Sequence, residues 1–301
     1  MPGFRDTGGR PLTIGVVSPG AMGAALGRTW RASGARVLVT VDGRSERTKR
    51  LAHGLELATD LDAVVAGSDV VVSVVPPGSA RATLVEILAA ARRTGVRPLV
   101  ADLNAVSPET VVELAEQTQA LGLGFVDGAI SGGPPAPGSD TILYLSGSGA
   151  ATLADLPADG LRSQVVGSEP GTASAVKMCT ASVYKGTTAL WAQALQTARA
   201  HGVLDVVLAD LAEEFPGAAA TAGRRIAVAV SKSERFVGEM EQIAQTQGGV
   251  GASPELFTAM AAVYARLART PLARLSPEQA RELSDLEEVL ARLSIDPPGA
   301  R

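Results

Sequence analysis

Residues 14–23 read IGVVSPGAMG, a short apolar run followed by a glycine-rich turn, and this stretch decides the fold. The apolar run 12–17 predicts a buried strand, because it is short and is followed at once by turn residues. The segment 21–33 predicts a helix that ends at Gly34. A strand, a tight turn and a helix in this order predict the first unit of an α/β domain.

The turn is a variant of the G-x-G-x-x-G pattern in which Ser18 replaces the first glycine and Gly20 and Gly23 occupy the other two places. Gly20 lets a pyrophosphate approach the backbone, and Gly23 allows close packing of helix on strand. Pro19 fixes one backbone angle, so Ser18-Pro19 can form the turn by another route. The alternative is a structural corner without a ligand. Cofactor contacts are predicted for Ser18, Pro19, Gly20, Ala21, Met22 and Gly23.

The residues that follow the second predicted strand bear on the type of cofactor. Asp42 stands where an acid holds the ribose hydroxyls of NAD. Gly43, Arg44 and Ser45 come next, and a guanidinium with a hydroxyl suits a 2′-phosphate. A solvated helix start is the alternative reading of Arg44. The pattern favours NADP(H), with NAD(H) possible.

Apolar strands alternate with helices as far as residue 167 and then stop. This alternation predicts an α/β Rossmann-type N-terminal domain with a parallel-sheet core. Residues 173–202 contain no proline and predict one long helix, the start of an all-α C-terminal domain. The expected divisions are a flexible tail (1–10), a Rossmann domain (11–167), a helical substrate and dimerisation domain (168–295) and a second tail (296–301). Further strands are predicted at 37–41, 69–75, 99–103, 124–130, 141–146 and 163–166, and further helices at 45–53, 79–94 and from Ser107.

Composition excludes several functional classes. The net charge is −4 and aromatic residues make up 3% of the 301 residues, so a nucleic-acid surface has little support. One cysteine, Cys179, forms no disulfide within the chain and is interpreted as a packed core thiol. With two histidines, no metal site is predicted. No apolar run predicts a signal peptide or a membrane span, so a cytoplasmic location is expected.

Four stretches together resemble the β-hydroxyacid dehydrogenase family, which includes 3-hydroxyisobutyrate and 6-phosphogluconate dehydrogenases and has imine reductases as relatives. They are IGVVSPGAMG (14–23), DLNAVSP (102–108), FVDGAISGGP (125–134) and GTASAVKM (171–178). The run KMCTASVYKGTTAL is similar to a less characterised branch with its own C-terminal domain. The resemblance implies a Rossmann domain, a helical domain built on one long helix, an active site in the cleft between them and a homodimer.

The resemblance also implies roles for individual residues. Lys177 matches the catalytic lysine, and Asn104 matches a polar residue near the nicotinamide and that lysine. Both are therefore candidate catalytic residues, and Asn104 is also a candidate cofactor contact. Val75 and Pro76 match a loop that touches the cofactor. The substrate's polar end would be held by Ser131, Gly132 and Gly133.

Chemistry supports Lys177 independently, because oxidation of an alcohol needs a group that accepts the hydroxyl proton. The alternative is a lysine that extends to solvent. Tyr184 lies seven positions later, near the same helix face, and is a candidate substrate contact.

Two departures from the family pattern concern the substrate. Thr180 and Ala181 stand where the family often has two asparagines, and Glu239-Met240 replaces a Lys-Asp pair. Because these changes remove donors that suit a carboxylate, the sequence predicts a substrate other than a small β-hydroxy acid, less anionic or cationic. Glu239 is a candidate substrate contact.

Three functions remain open from the sequence. The first is an NADP-dependent oxidoreductase acting on a hydroxy acid or a related alcohol or carbonyl compound. The second is an imine reductase, which Lys177 disfavours and Tyr184 keeps open. The third is a nucleotide-binding module without turnover.

Overall fold

The structure is a computed structural model that describes residues 11–294, and it forms two compact units, one ending at Met178 and the other beginning at Cys179. The predicted terminal tails, 1–10 and 296–301, lie outside the described residues. The division falls within the long helix predicted at 173–202, later in the chain than the predicted domain boundary.

The first unit contains an eight-stranded sheet with helices between its strands. The strands are β1 (Thr13–Val17), β2 (Arg36–Val39), β3 (Glu56–Leu57), β4 (Val70–Ser73), β5 (Leu99–Asp102), β6 (Phe125–Ser131), β7 (Thr141–Ser146) and β8 (Leu161–Gly167). The helices are α1 (Ala21–Ala32), α2 (Glu46–Leu51), α3 (Leu61–Ala66), α4 (Ala80–Thr94), α5 (Pro108–Gln119) and α6 (Ala150–Ala154).

The sheet order is β3-β2-β1-β4-β5-β6-β7-β8, which confirms the predicted Rossmann-type α/β fold. All pairs from β3 to β6 are parallel, β7 runs antiparallel to β6, and β8 runs parallel to β7. The order of strands reverses between β1 and β4. In such sheets ligands bind beyond the carboxyl ends of the strands at this point.

Both faces of the sheet are covered, as the apolar strands predicted. Side chains alternate between faces along a strand, and Ile14 and Val16 belong to one buried cluster whereas Val17 belongs to the other. In the same way, Val70 and Val72 belong to the first cluster and Val71 belongs to the second. The first cluster includes Trp30 of α1, and the second includes residues of α4 and α5.

The predicted strand 69–75 is shorter in the structure, where β4 ends at Ser73. Val75 N donates to the side chain of Asn104 instead of to a neighbouring strand, so the ladder stops before it. The predicted helix start at Ser107 is confirmed, since its hydroxyl accepts from Thr110 N at 3.2 Å and Pro108 is the first helical residue. The short elements β3, α3 and α6 were missed because their few residues carry little periodicity.

The second unit is helical throughout its described residues. The long helix α7 (Thr172–Ala200) begins in the first unit and is followed by α8 (Leu204–Glu214), α9 (Pro216–Val230), α10 (Ser233–Gly249), α11 (Glu255–Leu267), α12 (Pro277–Glu282) and α13 (Leu286–Arg292). The interpretation of Cys179 as a core thiol was wrong, because its side chain is exposed. On α7 its neighbour Met178 and Ala181 take the buried positions instead. Among residues 11–294, no helix combines the length and the apolar character needed to cross a membrane.

Candidate functional site

The turn between β1 and α1 is tight and open on one side. Ser18 adopts a positive φ of 64°, the conformation for which glycine is usual, and its carbonyl accepts from Gly20 N at 2.8 Å. A Cβ at Gly23 would lie 2.8 Å from Ser18 O, so only glycine fits there without a shift. A Cβ at Gly20 would meet no atom within 4 Å.

This geometry fits the pyrophosphate of a dinucleotide. Gly20 is the N-cap of α1 and has no side chain that caps the helix. The first N–H groups of α1 therefore have no partner within their own helix, and they carry the positive end of its dipole. An anion at the open face of Gly20 would accept from them.

The turn after β2 presents the residues predicted to select the cofactor. Arg44 N donates to Val41 O at 3.1 Å, and Gly43 has a φ of 65°, as a tight turn requires at this place. Asp42 is exposed and Arg44 is half-buried. Ser45 also caps α2, where its hydroxyl accepts from Thr48 N at 3.3 Å. A hydroxyl that accepts can still donate, so this cap leaves Ser45 able to bind a phosphate.

Asn104 joins the carboxyl ends of β4 and β5. Its side-chain oxygen accepts from Val75 N at 2.6 Å, and its amide nitrogen donates to Ser73 Oγ at 2.9 Å and to Asp102 Oδ2 at 2.7 Å. The residue is 3% exposed. These bonds fix the backbone that leads into Pro76, and they make Asn104 a residue that positions this loop.

Asp102 is buried at the end of β5 and supports the same network. Burial is the main reason that the pKa of Asp102 rises from 3.8 to about 7. The two hydrogen bonds from Asn104 lower this pKa, and the nearby charge of Asp127 raises it. The side chain of Asn104 and the backbone N–H of Asn104 both donate to this carboxyl group.

Asp127, on β6, fixes the start of α7. Its Oδ2 accepts from Gly171 N at 2.9 Å, Ser174 N at 3.0 Å and Ser146 Oγ at 3.0 Å, and its Oδ1 accepts from Ser174 Oγ at 2.7 Å. Burial raises the pKa of Asp127, and these donors oppose that rise. A carboxylate at the amino end of a helix also interacts favourably with the helix dipole.

Lys177 lies one turn further along α7 and is bonded to the same strand. Its Nζ donates to Ile130 O at 2.8 Å. Ile130 directly precedes Ser131, Gly132 and Gly133, so the ammonium lies beside the predicted substrate turn. Asp127 and Lys177 thus hold the first turns of α7 against β6 at two points.

The Ser131–Gly133 turn is held by β7. Thr141 Oγ1 donates to Gly133 O at 2.9 Å. Gly132 has a φ of 115°, and a Cβ there would lie 3.2 Å from Thr141 Cα. Gly133 faces open space. The turn therefore offers backbone groups beside Lys177, and a side chain is excluded only at Gly132.

The two candidates in the second unit have different surroundings. Tyr184 is 63% exposed. Glu239 is 5% exposed and forms ion pairs with Lys185 and with Arg235, the latter at 3.0 Å. Two cations compensate the charge of Glu239, so Glu239 lends no support to a cationic substrate.

The sequence reasoning assigned no role to Asp102 or Asp127. The available signal was an acidic residue inside an otherwise apolar strand, in the quoted stretches DLNAVSP and FVDGAISGGP. Charged residues are rarely buried without a partner, so each aspartate pointed to a cluster of donors. Across residues 11–294, histidine, cysteine and acidic side chains form no group of three or more that could hold a metal.

Two parts of the chain match known domain families. Residues 13–156 match the NAD binding domain of 6-phosphogluconate dehydrogenase, and residues 198–267 match a domain of unknown function, DUF1932. An uncharacterised 28.5 kDa protein of Methanothermus fervidus is 30% identical over 210 residues, which cover 68% of this chain and 78% of that protein.

Solved structures show the same relationship. The conserved protein MTH1747, of unknown function and described as structurally similar to 3-hydroxyacid dehydrogenases, is 31% identical, with a TM-score of 0.65 over 85% of this chain and 97% of that chain. The 3-hydroxyisobutyrate dehydrogenase of Mycobacterium tuberculosis is 20% identical and shares the fold, with a TM-score of 0.68 over 95% of this chain and 100% of that chain. The chain belongs to the β-hydroxyacid dehydrogenase family, in a less characterised branch that joins an NAD-binding domain like that of 6-phosphogluconate dehydrogenase to the DUF1932 domain.

Proposed function

We propose that the protein is an NADP(H)-dependent oxidoreductase that acts on a hydroxy acid or a related alcohol or carbonyl compound, with Lys177 as general acid and base. The observation that carries the proposal is the bond from Lys177 Nζ to Ile130 O at 2.8 Å, beside the Ser131–Gly133 turn. This bond supports the proposal, because it joins a side chain capable of proton transfer to the strand end that leads into the predicted substrate turn, within the part of the chain that matches an NAD-binding domain.

Each residue then has a defined task. A bound nicotinamide would accept or donate the hydride. Lys177 would take the proton of the substrate hydroxyl during oxidation and return it during reduction, so charge stays balanced at the reacting oxygen. Ser131, Gly132 and Gly133 would hold the polar end of the substrate. Asn104 would keep Val75 in place against the cofactor.

The choice of NADP(H) rests on Arg44 and Ser45. A guanidinium beside a hydroxyl offers charge-assisted hydrogen bonds to a 2′-phosphate, which NAD(H) lacks. The roles of Tyr184 and Glu239 as substrate contacts stay predictions.

A homodimer accompanies this proposal. The large apolar side chains of the helical unit that are more than half exposed in the single chain include Val183 (60%), Leu190 (58%) and Val206 (73%). Apolar surface of this kind is common at subunit interfaces. Light scattering during gel filtration should give twice the mass of 30.6 kDa.

Fluorescence titration with NADPH and NADH tests cofactor binding. NADPH should bind more tightly, and Arg44→Ala should weaken NADPH binding by about tenfold while changing NADH binding little. A preference for NADH would transfer the selection to Asp42. If neither nucleotide binds, the proposed function is wrong.

A screen of hydroxy acids and alcohols with NADP⁺, and of carbonyl compounds with NADPH, tests turnover. Lys177→Met keeps most of the aliphatic stem and should lower kcat by about a hundredfold or more with an unchanged Kd for NADPH. Full activity of this variant would refute the role of Lys177. Consumption of NADPH only when an amine accompanies the carbonyl compound would indicate imine reduction instead.

A further inference from the structure

A buried cluster of polar side chains joins the carboxyl ends of β4 and β5. Ser73, Asp102 and Asn104 are 1%, 1% and 3% exposed. The amide nitrogen of Asn104 donates to Ser73 Oγ at 2.9 Å and to Asp102 Oδ2 at 2.7 Å, and its oxygen accepts from Val75 N at 2.6 Å. Both hydrogens of this amide are used, and its orientation is fixed, because only the oxygen can accept from the N–H of Val75.

The cluster lies beside the turn between β1 and α1. Ser73 is the register partner of Val17, the last residue of β1, and Ser18 begins the turn that follows. The chain that continues from Ser73 thus leaves the sheet next to that turn, at the point where the order of strands reverses. Ligands of such sheets bind at this point. A side chain that fixes the chain after Ser73 is therefore well placed to act on a nucleotide.

The loop after β4 depends on Asn104 for its attachment. Pro76 and Pro77 follow Val75 and have no N–H, so the N–H of Val75 is the last backbone donor before Gly78. Its acceptor is the side chain of Asn104. If the amide of Asn104 turned over, its nitrogen would face that N–H and the bond would be lost. The orientation of this amide thus decides the position of the Val75–Pro76 segment.

The carboxyl group of Asp102 holds that orientation. Its Oδ2 accepts from the amide nitrogen of Asn104, and its Oδ1 accepts from Asn104 N at 3.0 Å. A carboxylate presents an acceptor at both places, whereas protonation turns one oxygen into a hydroxyl, which is a poorer acceptor. Protonation also removes the charge that makes such hydrogen bonds strong.

The surroundings of Asp102 allow both protonation states near neutral pH. Burial is the main reason that its pKa rises to about 7. On the two strands beside it, the register partners of Asp102 are Asp127, whose charge raises this pKa, and the neutral Ser73. The bonds from Asn104 favour the carboxylate and oppose both effects. A pH change across neutrality therefore changes the strength of the acceptors that Asn104 meets.

We propose that Asp102 is a positioning residue for the cofactor and that it acts as the carboxylate. The carboxylate holds the amide of Asn104 toward Val75 N and keeps the Val75–Pro76 segment in place, whereas protonation releases this segment and weakens nucleotide binding. The inference rests on the proposed binding of NADPH. Because coupling between two sites is reciprocal, NADPH favours the carboxylate, and its binding releases a proton from Asp102.

Hydrogen exchange of the Val75 N–H, followed by NMR on the full-length protein without nucleotide, tests the first step. Asp102→Asn keeps the shape of the side chain but presents an NH2 group to one of the two donors from Asn104. At pH 8 this variant should speed the exchange of Val75 by about tenfold or more. In the unsubstituted protein, exchange corrected for its intrinsic pH dependence should be slower at pH 8 than at pH 6, a result that requires no variant to fold.

Ser73→Ala is the matched control. It removes another hydrogen bond of the same amide and leaves both bonds to Asp102. The exchange of Val75 should therefore rise by less than about threefold in this variant.

Fluorescence titration with NADPH tests the second step. The Kd of Asp102→Asn should exceed that of the unsubstituted protein by about tenfold at pH 8.5, where Asp102 is ionised, and by less than about twofold at pH 5.5, where Asp102 is neutral and resembles asparagine. This ratio of Kd values cancels the titration of the cofactor's own phosphate, which both proteins meet. For Ser73→Ala the ratio should be the same at both pH values, because Asp102 still titrates in that variant.

Three results would overturn the inference: equal exchange of Val75 in Asp102→Asn and the unsubstituted protein, a Kd ratio of Asp102→Asn that does not change with pH, or the same pH-dependent ratio in Ser73→Ala. A purely structural role of Asp102 would weaken binding equally at both pH values. Failure of the proposed function gives a different result, because the unsubstituted protein then binds no nucleotide at either pH and both proposals are wrong. Tight NADPH binding with a constant Kd ratio refutes the role of Asp102 alone.

Discussion

The attachment of α7 to the sheet through Asp127 gives a prediction whose size follows from the structure. The carboxylate accepts four hydrogen bonds from three residues: Ser146, Gly171 and Ser174. Asp127→Ala would leave two buried backbone N–H groups without an acceptor. Each such group costs about 1–3 kcal/mol, whereas the two serine hydroxyls can rotate to other partners. The expected loss in the free energy of unfolding is therefore about 3–5 kcal/mol, a large part of the stability of an ordinary domain.

Asp127→Asn should cost much less. Its amide oxygen can keep both backbone bonds, and its nitrogen can donate to Ser174 Oγ, so only the charge assistance and the interaction with the helix dipole are lost. Charge-assisted bonds are roughly twice as strong as neutral ones, and removing a buried charge offsets part of the loss. The expected change is about 1–2 kcal/mol.

Urea denaturation followed by tryptophan fluorescence measures both changes. A Trp191→Phe background leaves Trp30, fully buried in the first unit, as the reporter. Asp140→Ala removes an exposed carboxylate near β7 and is the matched control, with an expected change within about 0.5 kcal/mol. The reasoning is refuted if Asp127→Ala costs less than about 1 kcal/mol, or if Asp127→Asn costs as much as Asp127→Ala.

Three further predictions concern the first unit. Ser18→Gly should leave stability unchanged or raise it by up to about 1 kcal/mol, because a positive φ of 64° strains an L-residue more than glycine; a clear loss on thermal denaturation would show that the serine hydroxyl is needed for the turn. Gly23→Ala should destabilise the unit by about 1–3 kcal/mol and abolish NADPH binding, because its Cβ would lie 2.8 Å from Ser18 O; unchanged binding in a fluorescence titration would contradict the close approach. Burial raises the pKa of Asp102 from 3.8 to about 7, so between these pH values the folded state binds the extra proton and stability falls as pH rises. Relative to Asp102→Asn, the unsubstituted protein should therefore lose about 2–3 kcal/mol between pH 5 and pH 8, and a difference in unfolding free energy that is independent of pH would show that Asp102 is not buried as a neutral acid.

The sequence by itself determined the fold class and the tight turn between β1 and α1. Apolar strands buried on both faces and separated by helices are compatible with few architectures, and the strand–turn–helix order around Ser18, Gly20 and Gly23 is local. The Ser107-Pro108 helix start was predictable for the same reason, since a cap depends on residues three positions apart. Such features depend on residues that are close together in the chain, so they can be predicted directly from the sequence.

Tertiary structure decided what depends on residues far apart in the chain. Asp127 receives donors from 44 and 47 positions away, and Lys177 reaches Ile130 O across 47 positions. Lys185 and Arg235 compensate the charge of Glu239, so this residue does not favour the cationic substrate that the sequence suggested. Cys179 became exposed because the helix turns a neighbouring residue, not the cysteine, toward the core. The periodicity of apolar residues indicates that a helix has a buried face, but the elements that pack against the helix determine which face is buried. Burial then determines which charged side chains need a partner.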